Sequence, residues 1–417
     1  MKPDLKYLFL LLLLPVKLLS AQELEVCSSC EFRSLSEAVS AVEPHGTIRV
    51  KKGIFKEHNI AITKPLTILG EKGAVIDGED KGEIITIQAD SVTIDGLKII
   101  NVGTSYTSDF AAVRVVKSRD FLLQNLQLER LFFGIYLEKA NHGKVLKNDI
   151  FGDAENEYNS GNGIQLWYCN NIEVAGNSVE NVRDGIYLEF SDKINIHDNL
   201  SRNNLRYGLH FMFSNNDVYN NNVFENNGAG VAVMFSKFIE MRGNIFKENW
   251  GTASFGLLLK EINDAEISNN VFDENTIGIN IEGSNRINYH DNDFRSNGWA
   301  IKVRGACYEN SFKNNNFLNN SFDVSYNSKL NDNKFENNYW SNYTGYDLNH
   351  DGIGDVPYRP VKLFSYIVNR TPETIILLRS LFIDIIDFSE KVSPVFTPDN
   401  LVDEHPKMKP VAHDTDK

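Results

Sequence analysis

Cysteine and methionine are scarce in this chain, with four Cys and five Met among 417 residues. Cationic excess is missing as well: the formal charge of −14 argues against nucleic acid or an anionic membrane as the main partner. It suits cations and basic protein surfaces better. No charge-free apolar run is long enough to span a bilayer, which takes about 20 residues. The run Leu8–Val16, preceded by Lys2 and Lys6 and followed by Leu19, Ser20 and Ala21, instead predicts a secretory signal over residues 1–21. Absence of a cysteine just after that cleavage point speaks against a lipid anchor. In an oxidising compartment the pair Cys27 and Cys30 favours a disulfide, with a redox or metal thiolate pair as the alternatives. Cys169 follows an apolar alternation and reads as a corner residue.

What the chain has in abundance is repetition. The strings GIQLWYC, GIYLEFS, GLHFMFS and GVAVMFS begin at Gly163, Gly185, Gly208 and Gly230, in steps of 22, 23 and 22 residues. Each precedes a second apolar alternation and an asparagine: Asn177, Asn199, Asn222, Asn244 and, past an insertion near Trp250, Asn270 and Asn292. A second asparagine series, Asn204, Asn227, Asn249, Asn275 and Asn297, follows five residues later. A fixed period of this length marks a solenoid. No ten-residue helical period fits inside a coil, so leucine-rich and helical repeats are disfavoured. The expected fold is an all-β, right-handed parallel β-helix of pectin-lyase-like type, each coil giving at least two short strands to two parallel sheets. Stacked asparagine amides would bond along the axis, at turns where Asn tolerates the left-handed conformation.

The expected organisation is residues 22–46 for the CxxC segment and an N-terminal capping helix, and 47–345 for the β-helix. Residues 346–360 form an Asp-rich loop closing it, and 361–417 a C-terminal helix and tail. Ser34 and the residues after it carry a helix start with apolar positions at helical spacing, as an open solenoid end requires.

Aligning the coils sorts outward positions into columns. One reads Trp167, Glu189, Met212, Met234, Lys260, Glu282 and Arg304; its neighbour reads Gln165, Tyr187, His210 and Ala232. Two thioethers on adjacent coils beside an imidazole make a soft donor set suited to Cu(I), so His210, Met212 and Met234 are copper candidates. The same surface also reads as an apolar patch with Trp167 and Tyr187 that docks a protein. Met241 falls in the inward series. Asp347, Asn349, Asp351 and Asp355 alternate oxygen donors around Gly352, a calcium-type spacing without the acidic twelfth position of an EF-hand; an Asx-rich turn is the alternative. Thr371, Pro372 and Glu373 predict a helix start, followed by an apolar stretch to Phe388 with a narrow polar stripe of Ser380, Asp384, Asp387 and Lys391. Its apolar face, with Ile375, Leu378 and Phe382, would meet a membrane or membrane partner, or pack back on the solenoid's open end. Prolines at 394, 398, 406 and 410 suggest an extended tail.

Many β-helices cleave or epimerise acidic polysaccharides, which makes a lyase, hydrolase or epimerase the rival reading. No carboxylates pair on adjacent coils, as acid–base work would need, and no Asp-Pro-His-Glu string occurs. No catalytic residue is assigned.

GIQLWYC, DGIYLEFS, YGLHFMFS and NNYWSNYTGYDLNHDGIGDVPYRP (Asn337–Pro360), with FSEKVSPVF and DEHPKMKP near the C-terminus, resemble the NosD family. The resemblance implies a periplasmic accessory protein in maturation of the copper centres of nitrous oxide reductase, and no enzyme activity of its own. It implies work beside a NosY membrane subunit and a NosF ATPase of an ABC-type complex, copper received from a NosL chaperone, and contact with the reductase NosZ. The helix after Thr371 would then anchor the solenoid on NosY, and the His210, Met212 and Met234 face would meet the chaperone or its copper.

Overall fold

The computed structural model describes residues 22–105, 107–327, 332–378, 380–392 and 401–413; the expected signal segment lies outside them. Three parallel sheets of 14, 12 and 13 strands run the length of a parallel β-helix, each strand pairing with its equivalent one coil away. The two-sheet expectation is corrected to three. The short alternation after each asparagine, such as Leu200–Arg202 or Val223–Glu225, is a strand of its own. Three residues are too few for a periodic signal, and only pairing between coils defines them.

Within one coil the order is the 12-stranded sheet, the 14-stranded sheet, then the 13-stranded sheet, as in Asp184–Glu189, Asn195–His197 and Leu200–Arg202. Ile164, Leu166, Ile186 and Leu188 are fully buried, and Met241 is core as expected. Interior aromatics stack from coil to coil, Phe224, Phe246, Phe272, Phe294, Phe317 and Trp340 forming one column with ring centroids 4.0–5.5 Å apart.

The asparagines build two buried ladders. In the longer one each Nδ2 donates to the Oδ1 one coil on, from Asn148 through Asn177, Asn199, Asn222, Asn244, Asn270, Asn292 and Asn315 to Asn338, at 2.9–3.0 Å. The second runs from Asn204 to Asn320. The left-handed backbone does not belong to the ladder residues, which corrects the expectation. It belongs to the residue just before each: Gly176, Asp198, Asn221, Gly243, Asn269 and Asp291. The bend is made one position early, and the amide that follows points inward to satisfy its neighbours' amides.

At the N-terminal end, helix α1 (Leu35–Ala41) buries Leu35, Ala38 and Val39, and Ser34 caps it by accepting from the Glu37 amide at 3.2 Å. Glu57, from the first coil, accepts from the Leu35 and Ser36 amides at 2.6 and 2.9 Å and fixes the helix on the solenoid. Cys27 and Cys30 are joined by a disulfide beside this cap.

The C-terminal end departs furthest from expectation. The apolar stretch is not one helix. Helix α2 (Leu363–Arg370), absent from the sequence reading, is followed by a 3₁₀ turn, Pro372–Leu377, and then by helix α3 (Leu381–Val392). The hairpin lies on the side of the 12-stranded sheet rather than over the open end: Phe364, Val368 and Ile383 pack with Ala229, Ala232, Leu258, Ile277, Trp299 and Phe322. Expected tail residues 393–400 lie outside the described segments. Residues 401–413 come back along the last coils, with bridges from Asp403 to Phe335 and Tyr358 and from Lys407 to Tyr339 and Ile353. The end of the solenoid is therefore closed by this strap, a role the sequence pattern did not suggest.

Candidate functional site

The 12-stranded sheet presents both predicted columns as read. Trp167, Glu189, Met212, Met234, Lys260, Glu282 and Arg304 are successive register partners, and so are Gln165, Tyr187, His210 and Ala232. His210 and Met212 lie two residues apart on one strand, on one face; Met212 and Met234 are partners on adjacent strands. Strand alternation and a regular coil length are enough to produce this, which is why it was legible in advance.

Burial was not legible. His210 is only 7% exposed, held between the rings of Tyr187 and Tyr207 at 5.0 and 4.8 Å. Neither of its ring nitrogens has a hydrogen-bond partner. A buried imidazole without a partner costs about 1–3 kcal/mol, so the site holds an unused donor–acceptor pair. Its Nδ1 lies 3.8 Å from Asp184, which is fully buried. Burial opposes ionisation of Asp184, but Arg206, donating from Nε at 2.8 Å, outweighs it and holds the carboxyl below its usual range. Burial pushes the Tyr187 hydroxyl up to about 12. Met212 and Met234 are half-buried, and Met234 packs against the cluster that seats the C-terminal hairpin.

The predicted docking residues separate into different roles. Trp167 is half-buried, with the Lys139 ammonium 5.0 Å above its ring, and Tyr187 is committed to His210. Leu378 packs inward against the hairpin's own seat, whereas Ile375 and Phe382 are exposed. Phe382 shares its outer face of α3 with Leu381, Ile385 and Phe388, which are 57–74% exposed. Helix α3 is thus apolar on two sides, one seated and one open. Asp384 is exposed and Ser380 half-buried; the side chains of Asp387 and Lys391 lie outside the described set.

The Asp-rich loop spends its oxygens on itself. Asp347 accepts from the Asp351 and Gly352 amides, Asp351 from Ile353, and Asp355 from Leu348, at 2.7–3.2 Å. Among the described residues no group of three or more His, Cys, Asp or Glu is placed to hold a metal ion. The calcium expectation is replaced by the Asx-turn reading: short side chains one or two residues apart reach their own backbone first. Cys169 is buried and its thiol pushed up to about 12 by burial; it occupies a corner continued on later coils by Ser191, Ser214 and Ser236, each hydroxyl accepting the previous coil's amide at 3.1 Å.

One surface feature escaped the sequence reading. Tyr168, Phe190, Phe213 and Phe235, each the residue after a column member, are 37–46% exposed and stack at 4.7–5.1 Å. All four have φ between 51° and 54°, a conformation costing a bulky residue roughly 1–2 kcal/mol. The signal was present in the repeated Tyr-Cys and Phe-Ser endings of the strings. The ring faces are used on one another, so the ridge offers edges, a poor platform for sugar rings.

The family model described as periplasmic copper-binding protein (NosD) matches residues 146–345. Two proteins named probable ABC transporter binding protein NosD, from Pseudomonas aeruginosa and Stutzerimonas stutzeri, are 29% and 27% identical over 411 and 409 residues. These matches take in 84% of this chain and 86% and 84% of those proteins. Among solved structures, a family 28 exopolygalacturonase of Yersinia enterocolitica superimposes with a TM-score of 0.62 at 11% identity, over 75% of this chain and 78% of the other. A mannuronan C-5 epimerase A-module of Azotobacter vinelandii gives 0.57 at 12%, over 72% and 93%. At those identities the likeness concerns the fold alone. The repeat strings, the coil length and the sequence matches agree: residues 146–345 carry the domain described as periplasmic copper-binding protein (NosD), in a chain similar over most of its length to proteins named NosD.

Proposed function

We propose that the protein is a non-enzymatic adaptor that carries or presents Cu(I) beside an ABC-type transporter during maturation of the copper centres of nitrous oxide reductase. Copper here is cargo, not a resident cofactor. The observation that carries the reading is His210: an imidazole nine-tenths buried, with no hydrogen bond at either nitrogen and only Asp184 near Nδ1 at 3.8 Å, on the same face as two thioethers one strand apart. Sulfur and imidazole favour Cu(I) over hard cations. Asp184 lies on the Nδ1 side, which leaves Nε2 as the coordinating atom. The expected result is that the variant with His210→Ala, Met212→Ala and Met234→Ala loses at least tenfold in Cu(I) affinity, measured anaerobically against a chromophoric chelator. Unchanged affinity would take copper off this face.

In this reading the open face of α3 seats the protein on the membrane subunit of the transporter, a NosY-type partner with a NosF-type ATPase behind it. Relatives that carry the name of transporter-binding proteins support a transporter partner, and the four exposed apolar side chains on one helix supply the contact. Delivery from a NosL-type chaperone and hand-over to NosZ belong to the same proposal. Phe382→Asp with Ile385→Asp is expected to abolish co-purification with the transporter from membranes, while thermal unfolding stays within about 1 kcal/mol of wild type because both side chains are exposed. Retained co-purification would move the contact elsewhere.

A lyase, hydrolase or epimerase is the weaker alternative. Glu138, Glu189 and Glu282 share the outer column but are separated by Trp167, and by Met212, Met234 and Lys260. Contrary to expectation, Glu240 and Glu266 are partners on adjacent coils of the 14-stranded sheet, each paired with a basic side chain, Arg242 and His290. Depolymerisation of a uronic-acid polymer by the purified protein would establish it and displace the adaptor reading.

A further inference from the structure

The strap over residues 401–413 ends in a side chain that nothing in the copper or docking reading uses. His413 is buried, and its two ring nitrogens face two acceptors: Nδ1 lies 2.9 Å from Asp293 Oδ1 and Nε2 lies 2.9 Å from the Asn314 carbonyl. A neutral imidazole has one N–H and can satisfy only one of them. The doubly protonated ring satisfies both. Asn316 fastens the same stretch beside the ring, its Oδ1 accepting the Val411 amide at 2.8 Å; its Nδ2, 3.4 Å from His413 Nδ1, spends its two hydrogens on the Val411 carbonyl at 2.9 Å and on Asp293 Oδ1 at 2.7 Å. The contact closes a distance of 120 residues in sequence, so it holds the strap rather than a local turn.

We propose that His413 is a proton-controlled latch that fastens the C-terminal strap to the last coils when its ring carries two protons and releases it when one is lost. Among the described residues the charged groups around it are Asp293 and Arg295 on the strand beneath and Asp291 at the turn before it. The other facing groups, Asn314 and Asn316, are neutral. Burial disfavours the imidazolium, but Asp293 outweighs it and raises the His413 pKa above its ordinary value; Asp293 itself is held below the usual carboxylate range against its burial by His413, Asn316 and Arg295. The sign follows. A raised imidazole pKa gives stability that is complete below the ordinary value of about 6.5 and is lost as pH rises through the raised one. The lowered Asp293 pKa gives stability present above about 4 and lost in more acidic solution. The latch is therefore firmest in mildly acidic medium and opens on the alkaline side.

Hydrogen exchange of the intact protein at several pH values, corrected for intrinsic exchange rates, tests this. In wild type the opening of residues 401–413 is expected to rise about tenfold or more between pH 6 and pH 9, since a hydrogen bond to a charged group is worth a factor of that order. In His413→Gln, which cannot gain a proton, opening should be high and flat across that range, with the mid-solenoid strands unchanged. Equal wild-type opening at both pH values, or a wild-type profile in the glutamine variant, overturns the proposal. Should that variant fold poorly, the ring carbon resonances of His413 in wild type decide: titration above the free imidazole value supports the latch, and titration at or below it refutes it.

Discussion

Replacing Asn222 by alanine is expected to destabilise the protein by about 3–6 kcal/mol and to split its urea transition in two. Asn222 Oδ1 accepts from both the backbone amide and the side-chain amide of Asn199, and its Nδ2 donates to the Ile196 carbonyl and to Asn244 Oδ1. Alanine removes all four bonds while every partner stays buried. Each orphaned group costs about 1–3 kcal/mol, and these are the Asn199 amide and the Ile196 carbonyl; Asn244 Oδ1 keeps the residue-222 backbone amide at 3.0 Å, and Asn199 Nδ2 keeps the Val174 and His197 carbonyls at 2.9 Å. Against a usual total stability of 5–15 kcal/mol the loss is large. In a solenoid each coil is held mainly by its neighbours, so a weak joint in the middle lets the two halves unfold apart. Asn222→Asp keeps the acceptor but sets lone pair against lone pair toward Asn244 and Ile196 and buries an unpaired charge, and should cost at least as much as alanine at neutral pH. The neighbouring residue is the control. Asn221 provides the left-handed bend, so Asn221→Gly should be nearly neutral. An alanine loss below 1 kcal/mol at position 222 would show that water or local relaxation replaces the ladder.

Asp403→Ala is expected to cost about 4–6 kcal/mol, confined to the C-terminal coils. Its carboxylate stands where the next asparagine of the long ladder would be, one coil beyond Asn338. It accepts from the Asn338 amide, Asn338 Nδ2 and Trp340 Nε1, each at 3.0 Å, and from the Asn337 and His405 amides at 3.2 Å. Asp403 is fully buried, so alanine strands most of these donors. It also loosens the strap that covers the last strands, Lys334–Glu336 and Tyr339–Trp340, and an uncovered parallel edge recruits other chains. Exchange of amides in those two strands should quicken by orders of magnitude, and concentrated samples should associate. Asp403→Asn keeps acceptors for part of the set but not the charge, and should lose only about 1–2 kcal/mol. Unchanged exchange at both strands in the alanine variant would assign the cap to the Asp-rich loop instead.

These two effects divide what was legible in the chain from what was not. The 22- and 23-residue steps fix coil length, and alternation within GIQLWYC or GLHFMFS fixes which side chains point outward. Together they are sufficient for the β-helix, for both asparagine ladders and for the columns that bring Met212 beside Met234. Each of those features depends on an interaction one coil away, and a fixed period turns that distance into a constant of the sequence. The strap, the seat of the hairpin and the burial of His210 depend on contacts that no period encodes. Asp403 meets Asn338 across 65 residues, and His413 meets Asp293 across 120. Whether an outward apolar residue is solvent-facing or covered was equally beyond the pattern: Ala232 and its partner Leu258 are outward in register yet buried in the cluster with Phe364, Val368 and Ile383. By itself the sequence determined a repeating scaffold and its outward columns, because neighbouring coils are equivalent. Tertiary structure alone decided which outward positions stay open, how the end is sealed and which imidazole is left without a partner, because those outcomes rest on non-repeating segments folding back onto the repeat.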